Sequence, residues 1–196
     1  MIFQLTAAAA QKAIPTPAKS PKKISWEEFQ RRYLSREDQY KYEWVNGWVE
    51  KTPRNVDKTQ LYILNNLINF FLPLKLSKSL DGNLIAEGDT FFAGNHRRPD
   101  IAYYTEAQIQ AARNNEDVHP DFVIEVISKN DQAEKLVKRM GDYWAAGVQV
   151  IWQIYPENKQ IHVYHGKNMT VCRGDDLCSA EPVVPAFVLP VKEVFK

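Results

Sequence analysis

The sequence contains few cysteines and little net charge, and each shortage excludes a class of protein. Two cysteines, Cys172 and Cys178, occur among 196 residues, which is too few for the disulfide framework of a small secreted protein. Zinc normally needs four ligands at recognised spacings, and the four histidines do not supply them. We therefore expect free thiols in a reducing compartment and no zinc site.

The formal net charge is +1, from 25 basic and 24 acidic residues. This argues against a protein that binds nucleic acid through an overall positive charge, but a local basic groove remains compatible with it. No apolar run approaches the roughly 20 residues needed to cross a bilayer, and the N-terminal stretch lacks the basic region of a signal peptide. We expect a cytoplasmic protein with no membrane partner.

The length of the chain and its 44% hydrophobic residues favour one domain with a sizeable core. Residues 1–23 are rich in Ala, Pro and Lys, a composition that buries too little apolar surface to fold. We therefore predict a flexible tail over residues 1–23 and a single domain over residues 24–196.

The first elements of that domain carry recognisable sequence signals. Ser25 and Glu28 form a capping box, which predicts a short helix. Residues 40–51 alternate apolar and polar side chains around an Asn-Gly pair, a pattern typical of a hairpin with a type I′ turn. The next segment has the spacing of a core-facing helix, which Pro73 is expected to end.

Strands alternate with helices over the rest of the domain. Residues 119–128 are largely apolar, which is consistent with a strand buried on both faces. Further strands are predicted over 81–94, 97–104, 149–155 and 160–166, helices over 105–115 and 131–146, and an extended edge segment at the C-terminus. This alternation predicts an α/β fold, with a mixed β-sheet flanked by helices and an N-terminal β-hairpin.

Two carboxylates stand in strands of this predicted sheet. Asp100 lies in the segment 97–104, and Glu125 interrupts the apolar run 122–127. Hard cations such as Mg²⁺ need only one or two carboxylates besides substrate phosphate, and a bound cation can activate water and stabilise a leaving oxygen. The pair therefore predicts a metal-dependent site for phosphodiester cleavage, with a nearby Lys or Arg to stabilise developing charge.

Simpler interpretations compete for the same residues. Asp100 could cap a turn at the start of its strand, and Glu125 could face solvent by alternation. Lys135, Lys138 and Arg139 follow Glu125 and could form the solvated face of an amphipathic helix. Arg139 borders the apolar stripe of that helix, however, and can reach inward.

The ordered series of segments resembles a known family. The resemblance is carried by RRPDIAYY (97–104), PDFVIEVIS (120–128), a following helix that ends in DYWAAGV, and the hairpin YKYEWVNGWVE. These segments resemble the Uma-type restriction endonucleases of the PD-(D/E)XK nuclease superfamily, over roughly residues 25–195. The resemblance implies a restriction-endonuclease-like core that uses Mg²⁺ or Mn²⁺ to hydrolyse DNA. The expected partner is DNA, and a homodimer is left open.

The resemblance also implies roles for individual residues. Asp100 matches the Asp of the PD motif and Glu125 matches the acid of the (D/E)XK motif. These two carboxylates and the backbone carbonyl of Val126 are the implied metal ligands. Glu43 matches an acidic position of the family that is a candidate to complete the site, although it could instead be a cross-strand partner of Lys41 or Lys51.

One position departs from the superfamily pattern. The lysine expected two residues after the acid is Ile127, and the alternative position, four residues before Tyr143, holds Arg139. Arg keeps the positive charge but cannot serve as a base. Lys135, Lys138 and Arg139 are therefore all candidates for the catalytic cation.

The favoured function is a metal-dependent endonuclease acting on DNA. The arginine at the lysine position favours an alternative, a degenerate nuclease fold that serves as a nucleic-acid-binding or protein-interaction module. A hydrolase for another phosphodiester, such as a nucleotide second messenger, is a third class.

Overall fold

A computed structural model describes residues 22–53 and 58–196 of the chain. The predicted flexible tail lies almost wholly outside the described residues, so it remains a prediction. The helices are α1 (Trp26–Phe29), which continues as a π-helical turn (Gln30–Leu34), α2 (Lys58–Leu76), α3 (Glu106–Arg113), α4 (Ala133–Ala145) and α5 (Val191–Val194). None of these helices is long and apolar enough to cross a bilayer.

Twelve strands are formed by the described residues. They are β1 (Tyr40–Val45), β2 (Trp48–Pro53), β3 (Asn83–Ala86), β4 (Thr90–Phe92), β5 (Asn95–Arg97), β6 (Ile101–Tyr104), β7 (Phe122–Val126), β8 (Val150–Tyr155), β9 (Gln160–His165), β10 (Asn168–Arg173), β11 (Leu177–Ala180) and β12 (Val184–Pro190).

Six of these strands form the central sheet, in the order β10-β9-β8-β7-β6-β3. β7 and β8 are parallel and are joined through α4, whereas the other neighbours are antiparallel. A parallel pair needs a crossover of this kind, since a tight turn can join only antiparallel strands. The predicted mixed sheet flanked by helices is confirmed.

The predicted N-terminal hairpin is also confirmed. β1 and β2 pair around Asn46 and Gly47, whose φ angles of 53° and 86° are those of a type I′ turn. The hairpin belongs to a second sheet, ordered β2-β1-β5-β4. Trp44 of β1 pairs with His96 of β5, so the hairpin lies beside the segment that leads to Asp100.

The central sheet is covered on both faces at β7. Phe122, Ile124 and Val126 of β7 pack towards α2, β12 and α5, whereas Val123 packs towards Met140 and other residues around α4. Because side chains alternate along a strand, Glu125 lies on the α4 face with Val123. All five residues of β7 are buried, as the apolar run predicted.

Several predicted boundaries are wrong. Pro73 lies inside α2 and does not end it. The carbonyl that its missing N–H would have bonded belongs to Asn69, which is exposed and can bond water. The predicted single strand over 81–94 is two strands in different sheets, and the strand over 97–104 breaks at residues 98–100.

The C-terminal region contains more structure than the sequence indicated. The expected extended edge segment is β12 paired with β11, followed by the short helix α5. β10 and β11 were not anticipated. Val184, Phe187 and Leu189 of β12 pack into the core beneath the central sheet, so burial rather than local propensity orders this segment.

Gly82 gives a direct test of how β3 is held against β6. A Cβ at Gly82 would lie 2.8 Å from Thr105 Cα, on a residue whose φ is +85°. Gly94 has a nearly identical φ of +82° and no atom within 4 Å of a built Cβ. We expect Gly94→Ala to lower the free energy of unfolding by about 1–2 kcal/mol through the left-handed backbone alone.

Gly82→Ala should cost clearly more than Gly94→Ala, because backbone atoms must also move. Urea denaturation of the two variants measures the difference. Equal losses would mean that the approach of residue 82 to β6 is not tight.

Candidate active site

The structure brings Asp100 and Glu125 together at the end of the central sheet where β6 begins and β7 ends. Ile101 of β6 pairs with Ile124 of β7, so one further step of the antiparallel register puts Asp100 opposite Glu125. Residues opposite each other on one face of such a pair have Cβ atoms about 4.5–5.5 Å apart. Asp100 Oδ2 also accepts a hydrogen bond from the backbone N of Val126 at 2.9 Å.

These residues line an open cleft with a volume of about 1060 Å³. Asp100, Glu125 and Val126 line it, together with Lys135, Lys138 and Arg139 of α4. The cleft therefore contains both predicted carboxylates and all three predicted cations. Its size is in the range of ordinary ligand-binding clefts.

Glu125 is buried and does not face solvent. It accepts hydrogen bonds from Arg139 Nη1 at 2.9 Å and from the Tyr143 hydroxyl. Burial raises the pKa of Glu125 to about 7, and the charge of Asp100 adds to the rise, although Arg139 and Lys41 oppose it. A carboxylate with a pKa this high is incompletely compensated by its cations, which is a feature of functional sites.

Of the three predicted cations, Arg139 is the one that reaches Glu125. Its Nη1 bonds Glu125 and its Nη2 donates to Glu43 Oε2 at 2.9 Å. Lys138 points to the rim, where its half-exposed ammonium lies 2.8 Å from Glu50 Oε1. Lys135 is exposed on the wall of the cleft.

Glu43 is almost completely buried and surrounded by donors. It accepts from Arg97 Nη1 at 3.1 Å, from Arg139 Nη2 at 2.9 Å and from the backbone N of Arg98 at 2.8 Å. Burial acts to raise the pKa of Glu43, but Arg139, Lys41 and Arg97 outweigh it and lower the pKa to about 2. Glu43 is therefore ionised at neutral pH, and its oxygens hold the cations of the site.

Lys41 is the residue of this site that sequence reasoning missed. Its Nζ lies 3.1 Å from Asp100 Oδ1 and donates to the Arg98 carbonyl at 3.0 Å. Burial acts to lower the pKa of Lys41, but the charge of Asp100 leads the opposing effects and the pKa is raised. The spacing of Lys41 from Glu43, two residues along β1, was the available signal, because it places both on one face.

The suggested pairing of Glu43 with Lys41 or Lys51 does not occur, because Glu43 forms its ion pairs with Arg97 and Arg139. In the β1–β2 register Glu43 stands opposite Glu50, and Lys41 stands opposite Thr52. Like charges opposite each other repel. Arg97 Nη1 relieves this repulsion because it contacts both carboxylates, at 3.1 Å from Glu43 and 2.7 Å from Glu50.

Arg97 also connects this sheet to α4. Its Nε donates to Asp142 Oδ2 at 2.9 Å, and its Nη2 contacts the same oxygen. The side chain is 1% exposed. Its pKa is raised above its usual range in spite of burial, chiefly by the charges of Glu43 and Glu50. Asp142 therefore fixes α4, and with it Arg139, against the β1–β5 pair.

The charges of this cluster do not balance. Four cations, Lys41, Arg97, Lys138 and Arg139, are joined by ion pairs to five carboxylates, Glu43, Glu50, Asp100, Glu125 and Asp142. The excess negative charge can be neutralised by a proton or by a bound cation. Burial, with a smaller effect from the charge of Asp100, raises the pKa of Glu125, so this carboxyl is the one in the cluster most ready to take up a proton or a cation.

The donor set fits a hard divalent cation that is also bound by water and phosphate. Among the described residues there is no group of three or more His, Cys, Asp or Glu side chains that could hold a metal ion. Asp100, Glu125 and Val126 line the same cleft, and their carboxylates and backbone carbonyl are oxygen donors. Two carboxylates supplemented by water and phosphate suffice for Mg²⁺.

Comparison with known proteins gives a family and a fold. A family model named Uma2 and described as "Putative restriction endonuclease" matches residues 26–192. A crystal structure of a "putative nuclease belonging to DUF820" from Anabaena variabilis ATCC 29413 superposes with a TM-score of 0.73 at 20% sequence identity. The match covers 88% of this chain and 97% of that one. No curated protein matches the sequence.

The raised pKa of Glu125 predicts a specific dependence of stability on pH. The folded pKa of about 7 exceeds the ordinary value of 4.5, so between these values the folded protein binds more protons than the unfolded chain. Stability contributed by protonated Glu125 is present at pH 4.5 and is lost as the pH rises through 7. Relative to Glu125→Gln, the metal-free protein should lose roughly 3 kcal/mol across this window.

Urea denaturation in EDTA at several pH values measures this difference. Titration of Glu43 does not affect this measurement, because the lowered pKa of Glu43 makes stability depend on its protonation only below about pH 4.5. Parallel pH profiles for the two proteins would show that the Glu125 carboxyl titrates normally.

Proposed function

The chain belongs to the Uma2 family, described as "Putative restriction endonuclease", and from this premise we propose that it is a divalent-metal-dependent endonuclease that hydrolyses DNA phosphodiester bonds in the cytoplasm. The observation that carries the proposal is the placement of Asp100 opposite Glu125 in an open cleft. The two cations Lys41 and Arg139 contact these carboxylates directly.

Asp100, Glu125 and the Val126 carbonyl are the residues proposed to hold Mg²⁺ or Mn²⁺. When bound, the cation supplies an activated water and stabilises charge on the phosphate and on the leaving oxygen. The protein positions these donors through the β6–β7 pairing and the Val126 N–H bond to Asp100 Oδ2. Donors fixed on strands of a packed sheet keep their geometry better than donors on loops.

Lys41 and Arg139 are the proposed charge stabilisers. Lys41 Nζ lies beside Asp100, and its raised pKa keeps it protonated at neutral pH, so it donates hydrogen bonds and does not act as a base. A protonated amine near the carboxylates can hold a water or a phosphate oxygen. Arg139 serves the Glu125 side of the cleft in the same way.

Glu43 and Arg97 are proposed to position this machinery and not to react. Both oxygens of Glu43 are engaged by N–H donors, from Arg97, Arg98 and Arg139. Arg97 in turn joins β5 to Asp142 of α4. Glu43 is thus suited to orient Arg139 towards Glu125, and less suited to binding a metal itself.

Metal binding can be tested without measuring cleavage. Mg²⁺ or Mn²⁺ should raise the melting temperature, because the ion binds the folded protein and not the unfolded chain. The double variant Asp100→Asn with Glu125→Gln should lose this gain. Asp131→Asn, which removes a charge elsewhere on the cleft wall, is the matched control and should keep it. A metal-induced shift that survives in the double variant would place the ion elsewhere.

Cleavage of a plasmid distinguishes the candidate cations. Lys41→Ala and Arg139→Ala should each lower metal-dependent cleavage by about 10²–10³-fold, the usual cost of removing one transition-state donor. Lys138→Ala should be mild, because Lys138 is half exposed and pairs with Glu50 at the rim. Arg139→Lys should keep or raise activity, since it restores the residue type that the family resemblance implies.

Retained activity in Lys41→Ala would contradict the role of that residue, and a large loss in Lys138→Ala or Lys135→Ala would assign the role to that lysine instead. A second function competes with catalysis, because Asp100 and Glu125 are both already ion-paired, to Lys41 and Arg139. If the natural protein binds DNA with metal present but never cuts it, and Arg139→Lys does cut, the protein is a degenerate nuclease that acts as a binding module.

A further inference from the structure

A second surface lies beside the cleft, on the α4 face of the central sheet. Ile151 and Gln153 of β8 lie on this face, and their partners in β9 are Tyr164 and His162. In β10, Met169 pairs with Tyr164. The strands β9 and β10 lie beyond α4 at this end of the sheet, since α4 packs over β7 and Ile151.

Aromatic side chains are concentrated on this surface. The rings of Tyr155 and His162 are 4.4 Å apart, and Trp144, at the C-terminal end of α4, lies 6.4 Å from Tyr164. Trp144 is 41% exposed and Met169 is 53% exposed. We use the name platform for five residues, Trp144, Tyr155, His162, Tyr164 and Met169.

A buried anchor holds the tyrosines of the platform in place. The hydroxyls of Tyr155 and Tyr164 donate to Gln153 Oε1, at 2.8 Å and 3.2 Å. Gln153 is buried, and its Nε2 contacts the sulfur of Met140 at 3.0 Å. Rings tied through their polar ends lose little freedom when a flat ligand packs on them, so the platform is pre-organised.

The β9–β10 hairpin, which carries His162, Tyr164 and Met169, bears formal charge of one sign, and the acids Glu157 and Asp176 flank it. Residues 158–173 contain Lys159, Lys167 and Arg173 and no Asp or Glu. Burial and the charge of Arg173 lower the pKa of His162, so its imidazole is neutral at pH 7 and serves as a flat ring. A ligand with aromatic rings and a polyanionic backbone matches this combination.

The platform is continuous with the cleft. Gln153 stands opposite Glu125 in the parallel β7–β8 register and opposite His162 in β9. Pro156 and Glu157, which follow Tyr155 directly, line the cleft. A strand that crosses the platform therefore leads to the proposed metal ligands.

We propose that the platform binds the unpaired bases of single-stranded DNA and leads that strand into the cleft, an inference that rests on the proposed nuclease function. Stacking on aromatic side chains requires accessible base faces, which a duplex hides within its own stack. The surface thus selects substrates with an unpaired segment next to the scissile bond.

Fluorescence anisotropy with 5′-fluorescein-labelled dT15 in EDTA tests binding in the absence of cleavage. Trp144→Ala and His162→Ala should each weaken binding by about 5- to 150-fold, the usual effect of losing one stacked base. Trp48→Ala is the matched control, because Trp48 is 38% exposed but lies in the hairpin, and it should bind as the parent does. Thermal denaturation checks that each variant is folded.

Three further probes examine which feature of the DNA is bound. An abasic 15-mer should bind the parent protein at least as weakly as dT15 binds the platform variants, and those variants should not weaken its binding further. A 15-base-pair duplex should bind more weakly than dT15. Equal binding of dT15 by the parent and both platform variants, or tighter binding of the duplex or of rU15, would overturn the proposal.

Plasmid and flap cleavage with Mn²⁺, measured separately, distinguishes the two proposals. Binding of dT15 that depends on the platform, without cleavage by the parent, would leave the platform standing and reject the nuclease. Cleavage by the parent together with unchanged dT15 binding in the variants would support the nuclease and reject the platform.

Discussion

The site depends on the buried ion pairs around Arg97. This one guanidinium contacts Glu43 and Glu50 of the hairpin and Asp142 of α4. It therefore joins the small sheet to the helix that covers the central sheet. Burying such charges costs several kcal/mol in desolvation, and removing one partner of a buried pair typically costs about 3–5 kcal/mol. Well-packed apolar residues could supply comparable stability, so the advantage of ions here is fixed geometry at the cleft.

The buried network around Arg97 contains more carboxylates than cations. Arg139 is shared between Glu43 and Glu125, and Lys41 is held by Asp100. The cations stabilise the charge of Glu43 enough to lower its pKa. They do not offset the burial of Glu125, whose pKa is raised. The same buried network thus keeps one carboxylate permanently charged and leaves the other ready to accept a proton or a cation.

The limits of prediction from sequence have identifiable causes. The hairpin was predictable because Asn-Gly signals its own turn, and Glu125 was conspicuous because an acid in an apolar strand needs a partner. The reversal at Ala93 and Gly94, with φ angles of 49° and 82°, was missed because Ala seldom adopts a positive φ. Pro73 was wrongly predicted to end α2. The helix continues because packing of its inner face stabilises it by more than the loss of one hydrogen bond destabilises it.

The sequence by itself determined the mixed sheet, the position of Glu125 in a buried strand, and the presence of cations on the following helix, because these depend on local periodicity and spacing. It also put Asp100 in the segment of β6, although Asp100 lies one residue before that strand begins. Only the tertiary structure decided which cations meet the carboxylates. Lys41 and Asp100 are 59 residues apart, and Arg139 reaches Glu125 rather than solvent because Asp142 and Arg97 fix the position of α4. Such contacts depend on how two sheets and a helix pack, and no local pattern encodes that packing.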